Sequence, residues 1–349
     1  MGSRRSASRA SVSDFYELLE VRPDARVEVI NAAYRELMRI HHPDRGGNEA
    51  LAKAMNEAHS VLSNQASRAE YDNNRGNKKR GLVPGGVVGN YKIVKLIAEG
   101  GCGKTYRAEH ILLKEPVCIK DCSNLSKDDA WVLIEEAKTL WDLRHYSIPA
   151  LRDILELDDG TIAIVMSYIP GPTLEEIVKK VGRLDPEHVA WITERIINAL
   201  QYLHFHGVVH GDLKPQNIIV QPASHQATLV DFGLAVMKPD PGSSSKGYTE
   251  FFSPPEEMSA ASPLLPESDF YSLGMVMIYA LSGKVECVKR KEIPSDVPDA
   301  LGAFVRKLIV RDVLQRPNWQ KEDLFEVFQD VRKEAFGRSR SKMKPIPGF

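Results

Sequence analysis

The stretch that decides the fold is His210-Gly211-Asp212-Leu213-Lys214-Pro215-Gln216-Asn217, and Asp231-Phe232-Gly233 follows fourteen residues further on. Together the two segments supply a carboxylate, a cation and an amide within six residues, and then a second carboxylate. Phosphoryl transfer requires a positioned base, cations that neutralise charge on phosphate oxygens, and hard oxygen ligands for a metal ion. The segments therefore predict a phosphoryl-transfer site built on neighbouring loops.

Length and composition limit the number of domains and the kinds of partner to expect. A chain of 349 residues, with 43% hydrophobic and 27% charged residues, fits two globular domains or one large domain with appendages. The formal net charge of −1 gives no reason to expect a nucleic-acid partner. No apolar run approaches the ~20 residues that span a bilayer, so no integral membrane segment is expected.

The cysteines favour a reducing environment. The four of them form no Cys-x-x-Cys pair, and none has a histidine at the spacing of a zinc site. They are Cys102, Cys118, Cys122 and Cys287. We therefore expect free thiols and a cytoplasmic location.

The character of the sequence changes along the chain and divides it into five parts. Residues 1–13 are rich in Ser and Arg and predict a disordered basic tail. Residues 14–72 are typical of helices throughout, and the polar, Gly-rich residues 73–89 predict a linker. Residues 90–335 have short strands first and long helices afterwards, and residues 336–349 predict a basic C-terminal tail.

Two amphipathic helices are predicted within residues 14–72. Apolar residues recur every three or four positions over Ala25–His41 and over Ala50–Leu62, so each helix has one apolar stripe. The predicted stripes are Val29, Ala33, Leu37 and Ile40 on the first helix, and Leu51, Met55, Ala58 and Leu62 on the second. A loop containing one Pro and two Gly joins the helices, which predicts a small helical hairpin.

Residues 90–335 predict a strand-rich piece, a cleft and a helix-rich piece. Strands are expected at Tyr91–Leu96, Thr105–Glu109, Val117–Cys122 and Ile162–Met166. Helices are expected at Asp128–Leu143, Pro186–His206 and Ser268–Leu281. The phosphoryl-transfer segments belong to the junction of the two pieces, so we expect them to line the cleft.

Further motifs flank these segments in a fixed order. They are a Gly-rich turn at 98–105, Val117-Cys118-Ile119-Lys120, Glu136, Ser253-Pro254-Pro255-Glu256, Asp269 and Arg316. In this order, residues 91–335 resemble the eukaryotic-type (Hanks-type) Ser/Thr protein kinase family. The resemblance implies an α+β bilobal kinase fold, with a β-rich N-lobe and a helical C-lobe, and a protein substrate.

The resemblance assigns a role to each residue of the catalytic set. Asp212 would accept the proton of the substrate hydroxyl, and Lys214 would steady the transferring phosphate. Lys120, paired with Glu136, would hold the α- and β-phosphates of ATP. Asn217 and Asp231 would hold Mg²⁺ through their oxygens.

The resemblance also implies an ATP pocket. Its residues are Ala98, Gly100, Gly103, Thr105, Cys118, Lys120, Met166 and Tyr168. Glycines let the backbone approach phosphates closely. Two positions depart from the family pattern, because Ala98 replaces the first glycine of the turn and Thr105 replaces a valine.

Other positions indicate an intact lower lobe and its acceptor class. Glu256 is expected to pair with Arg316, and Asp269 to hold the backbone of the catalytic loop. Lys214, two positions after Asp212, resembles Ser/Thr rather than Tyr kinases. Thr249, seven residues before Glu256, agrees with that class.

Gly211 is the main departure from the family, because an arginine at this position usually binds a phosphate on the activation loop. Its absence places the chain in the non-RD subclass. We therefore hypothesise that alanine or glutamate at Ser243–Ser245 or Thr249 leaves basal activity within a few-fold.

Residues 14–72 resemble a DnaJ-type J-domain, a small all-α helical hairpin. The resemblance rests on Phe15-Tyr16-Glu17-Leu18-Leu19, Ala33-Tyr34-Arg35, His42-Pro43-Asp44, Met55-Asn56-Glu57-Ala58-His59 and Tyr71-Asp72. It implies a DnaK-type heat-shock chaperone as partner and stimulation of that chaperone's ATPase. Contact would be made by His42, Pro43 and Asp44 with Arg35 and Arg39, whose charge suits an acidic surface.

This domain departs from the J-domain pattern in its charge. Glu36 stands where a lysine is frequent, and seven Lys/Arg face eleven Asp/Glu within residues 14–72. We therefore expect modest affinity for a generic chaperone. No Gly/Phe-rich or zinc-binding region follows, so delivery of general clients is not expected.

Two interpretations follow from the sequence. In the first, the chain is an active Ser/Thr kinase whose J-domain recruits a chaperone. In the second, it is a co-chaperone adaptor whose kinase fold is a weak or inactive nucleotide-binding scaffold. The altered Gly-rich turn favours the second slightly, and the complete catalytic set favours the first.

Overall fold

The structure is a computed structural model. It describes residues 15–41, 47–77, 82–100, 103–122, 134, 137–138, 140–157, 161–232, 235–237, 249–257, 264–338 and 345–349. Several predictions lie outside these residues, namely those on the tail 1–13, His42, Pro43, Asp44, Glu136, Ser243–Ser245 and most of the predicted helix Asp128–Leu143. The chain divides into two compact units, residues 1–80 and residues 81–349.

The described part of residues 1–80 is helical. It contains α1 (Phe15–Leu18), α2 (Val27–His41), α3 (Glu49–Leu62) and α4 (Gln65–Asn77). Phe15 stacks on Tyr71 with ring centroids 4.5 Å apart, and the Tyr16 hydroxyl donates to Asp72 Oδ1 at 2.6 Å. The predicted hairpin is thus α2 and α3, closed by contacts between α1 and α4.

The buried face of α2 is not the predicted stripe. Val29 and Ile40 are 51% and 53% exposed, whereas Ile30 and Leu37 are buried, with Tyr34 packed beside them. Both stripes contain Leu37 and both fit a period of 3.6 residues, so periodicity alone does not choose between them. The face with Ile30, Tyr34 and Leu37 covers the core, because the Tyr34 ring lets it bury more apolar area than the predicted stripe would.

The stripe predicted on α3 is confirmed. Met55, Ala58 and Leu62 are buried, and Leu51 packs against the same core. Helix α3 contacts α1, α2 and α4, so its apolar face is the one that the other helices cover.

Residues 81–349 begin with a six-stranded antiparallel sheet. Its strands are β1 (Val87–Val88), β2 (Tyr91–Gly100), β3 (Gly103–His110), β4 (Pro116–Asp121), β5 (Leu151–Glu156) and β6 (Ile162–Ser167), in the order β1-β2-β3-β4-β6-β5. Alternate apolar side chains, including Ile93, Ala108, Ile119 and Val165, form a core on one face. The four predicted strands are confirmed. β5 was not predicted, because its alternation is interrupted by charged residues.

The predicted linker contains ordered structure at both ends. Helix α4 runs to Asn77, and β1 pairs with β2. The backbone N–H of Leu82 donates to Asp121 Oδ2 at 3.1 Å, and Leu82 packs against the sheet core. Residues 82–89 thus form part of the second compact unit, residues 81–349. Leu82 supplies an apolar contact to the sheet, and Val87 and Val88 pair with β2.

The rest of this unit is mainly helical. Its elements are α5 (Leu174–Val181), α6 (Pro186–Phe205), β7 (Val208–Val209), β8 (Ile218–Gln221), β9 (Gln226–Leu229), β10 (Val236–Met237), α7 (Pro266–Ser282), α8 (Val285–Arg290), α9 (Asp299–Leu308) and α10 (Leu324–Phe336). Helix α6 begins at Pro186 behind the N-cap Asp185, as residue preferences predict. Residues 268–282 of α7 are buried throughout, which explains the apolar run.

The segment predicted as a C-terminal tail is partly packed. Phe336 ends α10, and Ile346 is 2% exposed within the core of the helical part. The Lys180 ammonium donates to the Gly348 carbonyl at 2.8 Å and lies 4.1 Å from the Phe349 ring centroid. Ile346 departs from the predicted tail, because its apolar side chain packs into this core, whereas residues 345 and 347–349 are exposed.

Candidate active site

The predicted nucleotide-binding residues share one face of the sheet. Ala98 is paired with Thr105, Thr105 with Lys120, and Cys118 with Met166. Directly opposed residues, and residues two apart on one strand, project to the same side of a sheet. The register therefore brings these five side chains onto one surface. Tyr168 follows directly after the end of β6.

Backbone contact explains one glycine of the Gly-rich turn. Strands β2 and β3 converge at the pair Gly100–Gly103. Gly103 has φ +118°, and a Cβ atom there would lie 2.1 Å from the Asp121 carbonyl oxygen. Only glycine fits this close approach, which fixes the turn against the strand that carries Lys120.

Lys120 reaches across to the second carboxylate of the site. Its ammonium group lies 2.5 Å from Asp231 Oδ1, and the residue is 8% exposed. Asp231 has φ +67°, a left-handed conformation that is uncommon for residues other than glycine and that aspartate tolerates better than most. The predicted partner Glu136 lies outside the described residues.

Asp212 lies at the centre of a hydrogen-bond network. Its Oδ2 accepts from the Lys214 ammonium at 2.7 Å and from Asn217 Nδ2 at 3.0 Å. Its Oδ1 accepts from the Thr249 hydroxyl at 2.6 Å. Lys214 also lies 3.4 Å from Thr249 Oγ1. Both oxygens of the buried carboxylate are therefore oriented by neighbouring side chains.

Asn217 connects the two loops of the site. Its side-chain Nδ2 also donates to the Asp212 backbone carbonyl at 2.8 Å. Its own backbone carbonyl accepts from the N–H of Val230, the residue before Asp231, at 2.8 Å. Asn217 thus holds the loop that carries Asp212 and the loop that carries Asp231 together.

The orientation of the Asn217 amide suits a metal site. Because the amide nitrogen is turned toward Asp212, the amide oxygen faces away from that carboxylate. An amide oxygen and the Asp231 carboxylate are the oxygen ligands that Mg²⁺ prefers. Mg²⁺ is usually bound by one or two protein oxygens together with phosphate oxygens and water, so two such side chains are enough for a site.

Asp269, near the start of α7, holds the backbone of the loop that carries Asp212, as predicted. Its two carboxylate oxygens accept from the N–H groups of His210 and Gly211, each at 2.9 Å. His204 Nε2 lies 2.8 Å from the same carboxylate. Burial alone would raise the pKa of Asp269, but the hydrogen bond from His204, its charge and that of His210, and the Gly211 N–H outweigh burial and lower it.

Gly211 is suited to the backbone of this loop. The residue is buried and has φ +71°, in the left-handed region. A side chain in that conformation costs roughly 1–2 kcal/mol. The glycine therefore removes local strain at the position where the family usually has arginine.

The predicted pair of Glu256 and Arg316 is confirmed. The guanidinium group forms two bonds to the carboxylate, with Nη1–Oε1 2.5 Å and Nη2–Oε2 2.8 Å. Ser268 Oγ also donates to Glu256 Oε1 at 3.0 Å. This bidentate contact anchors the chain just after the loop that carries Thr249.

Two groups near the site are held neutral by burial. Burial raises the pKa of the Cys118 thiol to about 11, so the thiol stays protonated at neutral pH and is not a nucleophile. Burial also raises the pKa of Glu257 to about 8, against a lowering by the hydrogen bond from Ser253. Glu257 is therefore mostly protonated at neutral pH.

The position of Thr249 revises the hypothesis made from Gly211. That hypothesis treats Thr249 like Ser243–Ser245, as a residue whose hydroxyl is not needed for basal activity. In the structure, however, the Thr249 side chain contacts both Asp212 and Lys214. We now expect Thr249→Ala to lower kcat by about ten- to a hundredfold, since a hydrogen bond to a charged group is worth about 1.5–3 kcal/mol.

Thr249→Ser is the matched control, because it keeps the hydroxyl. Steady-state kinetics on both variants should show near wild-type kcat for the serine variant only. Equal activity of wild type and Thr249→Ala would contradict the role given to this contact.

The structure thus brings together most of the predicted site. Lys120 and Asp231 meet at one end, and Asp212, Lys214 and Asn217 meet at the other. Sequence reasoning missed His204 as a partner of Asp269, because its place in the apolar helix α6 gives no local sign of function. The side-chain role of Thr249 was missed although its spacing from Glu256 pointed to it.

The predicted chaperone-binding arginines lie on α2. Arg39 forms two contacts to Glu36 on the same helix, Nη2–Oε1 at 2.6 Å and Nε–Oε2 at 3.1 Å. Arg35 Nε donates to the Asn31 carbonyl at 3.1 Å. The Arg39 and Glu36 side chains are both exposed, so Glu36 partly neutralises a cation that would otherwise face a partner directly.

A six-stranded sheet followed by a mainly helical part, with Lys120 in contact with Asp231 and a buried Asp212 bonded to Lys214, has the architecture of a bilobal kinase fold. Residues 91–327 match the protein kinase domain model, and residues 14–72 match the DnaJ domain model. The kinase match covers more than half of the chain. The chain therefore belongs to the protein kinase family, and it carries a DnaJ domain before the kinase domain.

Similar proteins are bacterial Ser/Thr kinases. The chain is 28% identical to serine/threonine-protein kinase PrkC of Bacillus subtilis over 283 residues, 75% of this chain and 43% of that protein. It is 32% identical to PknA of Mycobacterium tuberculosis over 252 residues, 66% of this chain and 58% of that protein. It is 30% identical to pkn3 of Myxococcus xanthus over 211 residues, 56% of this chain and 38% of that protein. The matches thus span about two fifths to three fifths of these relatives.

None of the helices in the described part of the chain is both long and apolar enough to cross a bilayer.

Proposed function

We propose that the chain is an ATP-dependent protein Ser/Thr kinase. The observation that carries the proposal is the network around Asp212, in which Lys214, Asn217 and Thr249 orient both carboxylate oxygens of a buried base. Such a base accepts the hydroxyl proton during transfer of the γ-phosphate. The names of the relatives support serine and threonine as acceptors.

Each residue of the site has a distinct task in this proposal. Asp212 receives the proton of the acceptor hydroxyl at Oδ, and Lys214 places positive charge beside the transferring phosphoryl group. Lys120 would bind the α- and β-phosphates of ATP, beside the pocket face formed by Ala98, Thr105, Cys118 and Met166. Electrostatic stabilisation by fixed charges is the main source of rate enhancement in phosphoryl transfer.

Members of the protein kinase family use ATP with Mg²⁺. Asn217 and Asp231 would hold the metal, and the orientation of the Asn217 amide fits this role. When bound, the metal neutralises charge on the phosphates. Lys120 would remain beside Asp231, since their contact places the cation and the metal-binding carboxylate together.

We also propose that the kinase works without the usual phosphate switch on its activation loop. Gly211 has no side chain to bind a phosphate, and its φ of +71° disfavours any replacement. Control of the kinase would then come from another part of the chain.

The J-domain is the first candidate for that control or for targeting. We propose that it recruits a DnaK-type chaperone in the cytoplasm through His42, Pro43, Asp44, Arg35 and Arg39, and stimulates its ATPase. The ion pair between Arg39 and Glu36 supports the expectation of modest affinity.

His42→Gln tests this part of the proposal. We expect the variant to lose stimulation of a DnaK-type ATPase, because the family's contact depends on this loop, while its own phosphate transfer is unchanged. Glu57→Gln, an exposed position on α3, is the control and should stimulate like wild type. Undiminished stimulation by His42→Gln would refute the chaperone role.

The second candidate function is a co-chaperone adaptor with a weak or inactive kinase fold. Ala98 in place of the first glycine is the observation that favours it, since Ala is less able than Gly to adapt to phosphates. Incubation with γ-labelled ATP, Mg²⁺, a protein acceptor and the chaperone separates the two. Binding of ATP without transfer to protein, with or without chaperone, would favour the adaptor.

A further inference from the structure

A group of basic residues lies beside the loop that contains Thr249 and Phe251. The catalytic site does not use these residues. Lys289 and Arg290 form the last turn of α8, and Lys291 follows it. All three are exposed, and in the described part of the chain none has a carboxylate partner within ion-pair distance. We call these three residues the α8 basic patch.

A chain of contacts connects this patch to the base. Thr249 donates to Asp212 Oδ1 at 2.6 Å, and Phe251 lies two residues after Thr249. The Lys289 ammonium lies 4.5 Å from the centroid of the Phe251 ring. Phe251 has φ +72°, a strained conformation for an aromatic residue, and the turn is held by the Ser253 N–H bonded to the Thr249 carbonyl.

The lysine is thus positioned at the edge of the loop that contacts the base. Neighbouring Lys291 lies 5.1 Å from the Tyr271 ring centroid, so a second aromatic ring positions a second cation of the patch. Cations that contact rings, and that have no carboxylate within ion-pair distance among the described residues, are available to an incoming anion.

The carboxylates around the loop do not cancel this charge. Residues 284–292 carry four cations and two carboxylates, Glu286 and Glu292, and the loop itself carries Glu250. Glu256 is occupied by Arg316, and burial keeps Glu257 mostly protonated. The described surface beside the loop therefore has a net positive charge.

Another acidic residue near the catalytic loop is already paired. Glu175 on α5 accepts from Gln216 Nε2 at 2.7 Å, and its other oxygen lies 2.8 Å from the Lys179 ammonium. A basic substrate side chain would have to displace Lys179 to use it. In the described part of the chain, an anion of the substrate can thus bind the α8 basic patch, whose cations have no ion-pair partner. A cation of the substrate meets Glu175, which is already paired.

We infer that this kinase selects acidic protein segments, in which Asp or Glu residues close to the acceptor Ser or Thr contact the α8 basic patch. The inference rests on the proposed kinase function and names its substrate class. Lys289 is the principal specificity residue, because its ammonium group contacts the loop that also contacts Asp212. Exposed ion pairs are individually weak and screened by salt, so the preference should be moderate and salt-sensitive.

The test uses the full-length chain and serine peptides that differ only in charge. One set has three Asp, three Asn or three Lys residues after the serine, and a second set has the same residues before it. Wild type should prefer Asp to Asn by about fivefold or more in kcat/KM in at least one set, and the preference should shrink at high salt.

Lys289→Glu should reverse that preference, so that the Lys peptide becomes the better substrate. Arg290→Glu, whose side chain has no described ring contact, should weaken the preference for Asp in the same direction. Lys321→Glu makes the same change of charge at an exposed lysine outside the patch and should keep the wild-type preference. Reversal by charge is the decisive readout, because loss of stability alone cannot produce it.

Equal kcat/KM for Asp and Asn peptides with wild type, or an unchanged acidic preference in both Lys289→Glu and Arg290→Glu, would overturn the inference. The proposed function remains supported in either case, since peptides are phosphorylated. Transfer to no peptide and no protein acceptor would instead refute the kinase function and the inference together.

Discussion

Asp212→Asn should lower kcat for phosphate transfer by about 10²–10⁴-fold, the range over which a positioned general base contributes. The amide has the size of the carboxylate but cannot accept the hydroxyl proton at neutral pH. Its oxygen can still accept from Lys214 and Asn217, and its nitrogen can donate to the Thr249 hydroxyl. The substitution therefore removes the base and keeps the network.

The measurement for Asp212→Asn combines steady-state transfer with ATP binding. We expect ATP affinity close to wild type, because the nucleotide contacts are assigned to the sheet and to Lys120. Asp296→Asn makes the same chemical change in an exposed ion pair with Arg183 and should transfer phosphate within about twofold of wild type. Wild-type kcat in Asp212→Asn would show that another group acts as the base.

Asp269→Ala should have the largest effect on folding stability. The substitution leaves the N–H groups of His210 and Gly211, and the ring of His204, without their acceptor in a buried site. Removing one partner of a buried charged network costs about 3–5 kcal/mol. For a unit of this size, that loss lowers Tm by roughly 10 °C. Transfer should fall as well, because the loop that carries Asp212 loses its anchor.

Differential scanning calorimetry and steady-state kinetics check this expectation. Asp269→Asn keeps one acceptor oxygen and should be intermediate, whereas Asp330→Ala, in an exposed pair with Lys333, should change Tm little. Equal Tm for wild type and Asp269→Ala would mean that the loop is held by other contacts.

The stabilising effect of Asp269 also depends on pH. Its pKa is lower in the folded protein than in the unfolded chain, where a carboxyl of this type titrates at about 3.9. The contribution to stability is therefore present above about pH 4 and is lost as pH falls through the folded value. The difference in unfolding free energy between wild type and Asp269→Asn should be constant near neutral pH and shrink in acid.

Motifs with fixed spacing were the most predictable part of this protein. The structure contains the four predicted strands, the Glu256–Arg316 pair and the hydrogen bonds from the loop backbone to Asp269. Each of these depends on residue types that are costly to replace at those positions. The family assignment from the motifs is confirmed by the matched domain models.

Features that depend on packing were less predictable. The stripe on α2 was wrong because two faces of the helix have similar apolar periodicity, and the burial of Ile30 rather than Val29 is decided by tertiary contacts. The packing of Leu82 and Ile346 escaped notice because isolated apolar residues in polar segments give no periodic signal.

The acidic preference likewise needed the three-dimensional structure. Lys289 lies 40 residues after Thr249 in the sequence, and only the fold brings its ammonium group to Phe251. The charge of a cleft depends on which residues are already paired, and a sequence does not contain that information.

The most direct test of the kinase account is phosphoamino-acid analysis after incubation of wild type and Asp212→Asn with γ-labelled ATP, Mg²⁺ and a protein acceptor. We expect label on serine and threonine with wild type, and label lower by about 10²-fold or more with the variant. Absence of labelled protein with wild type, or equal labelling by the two proteins, would contradict it.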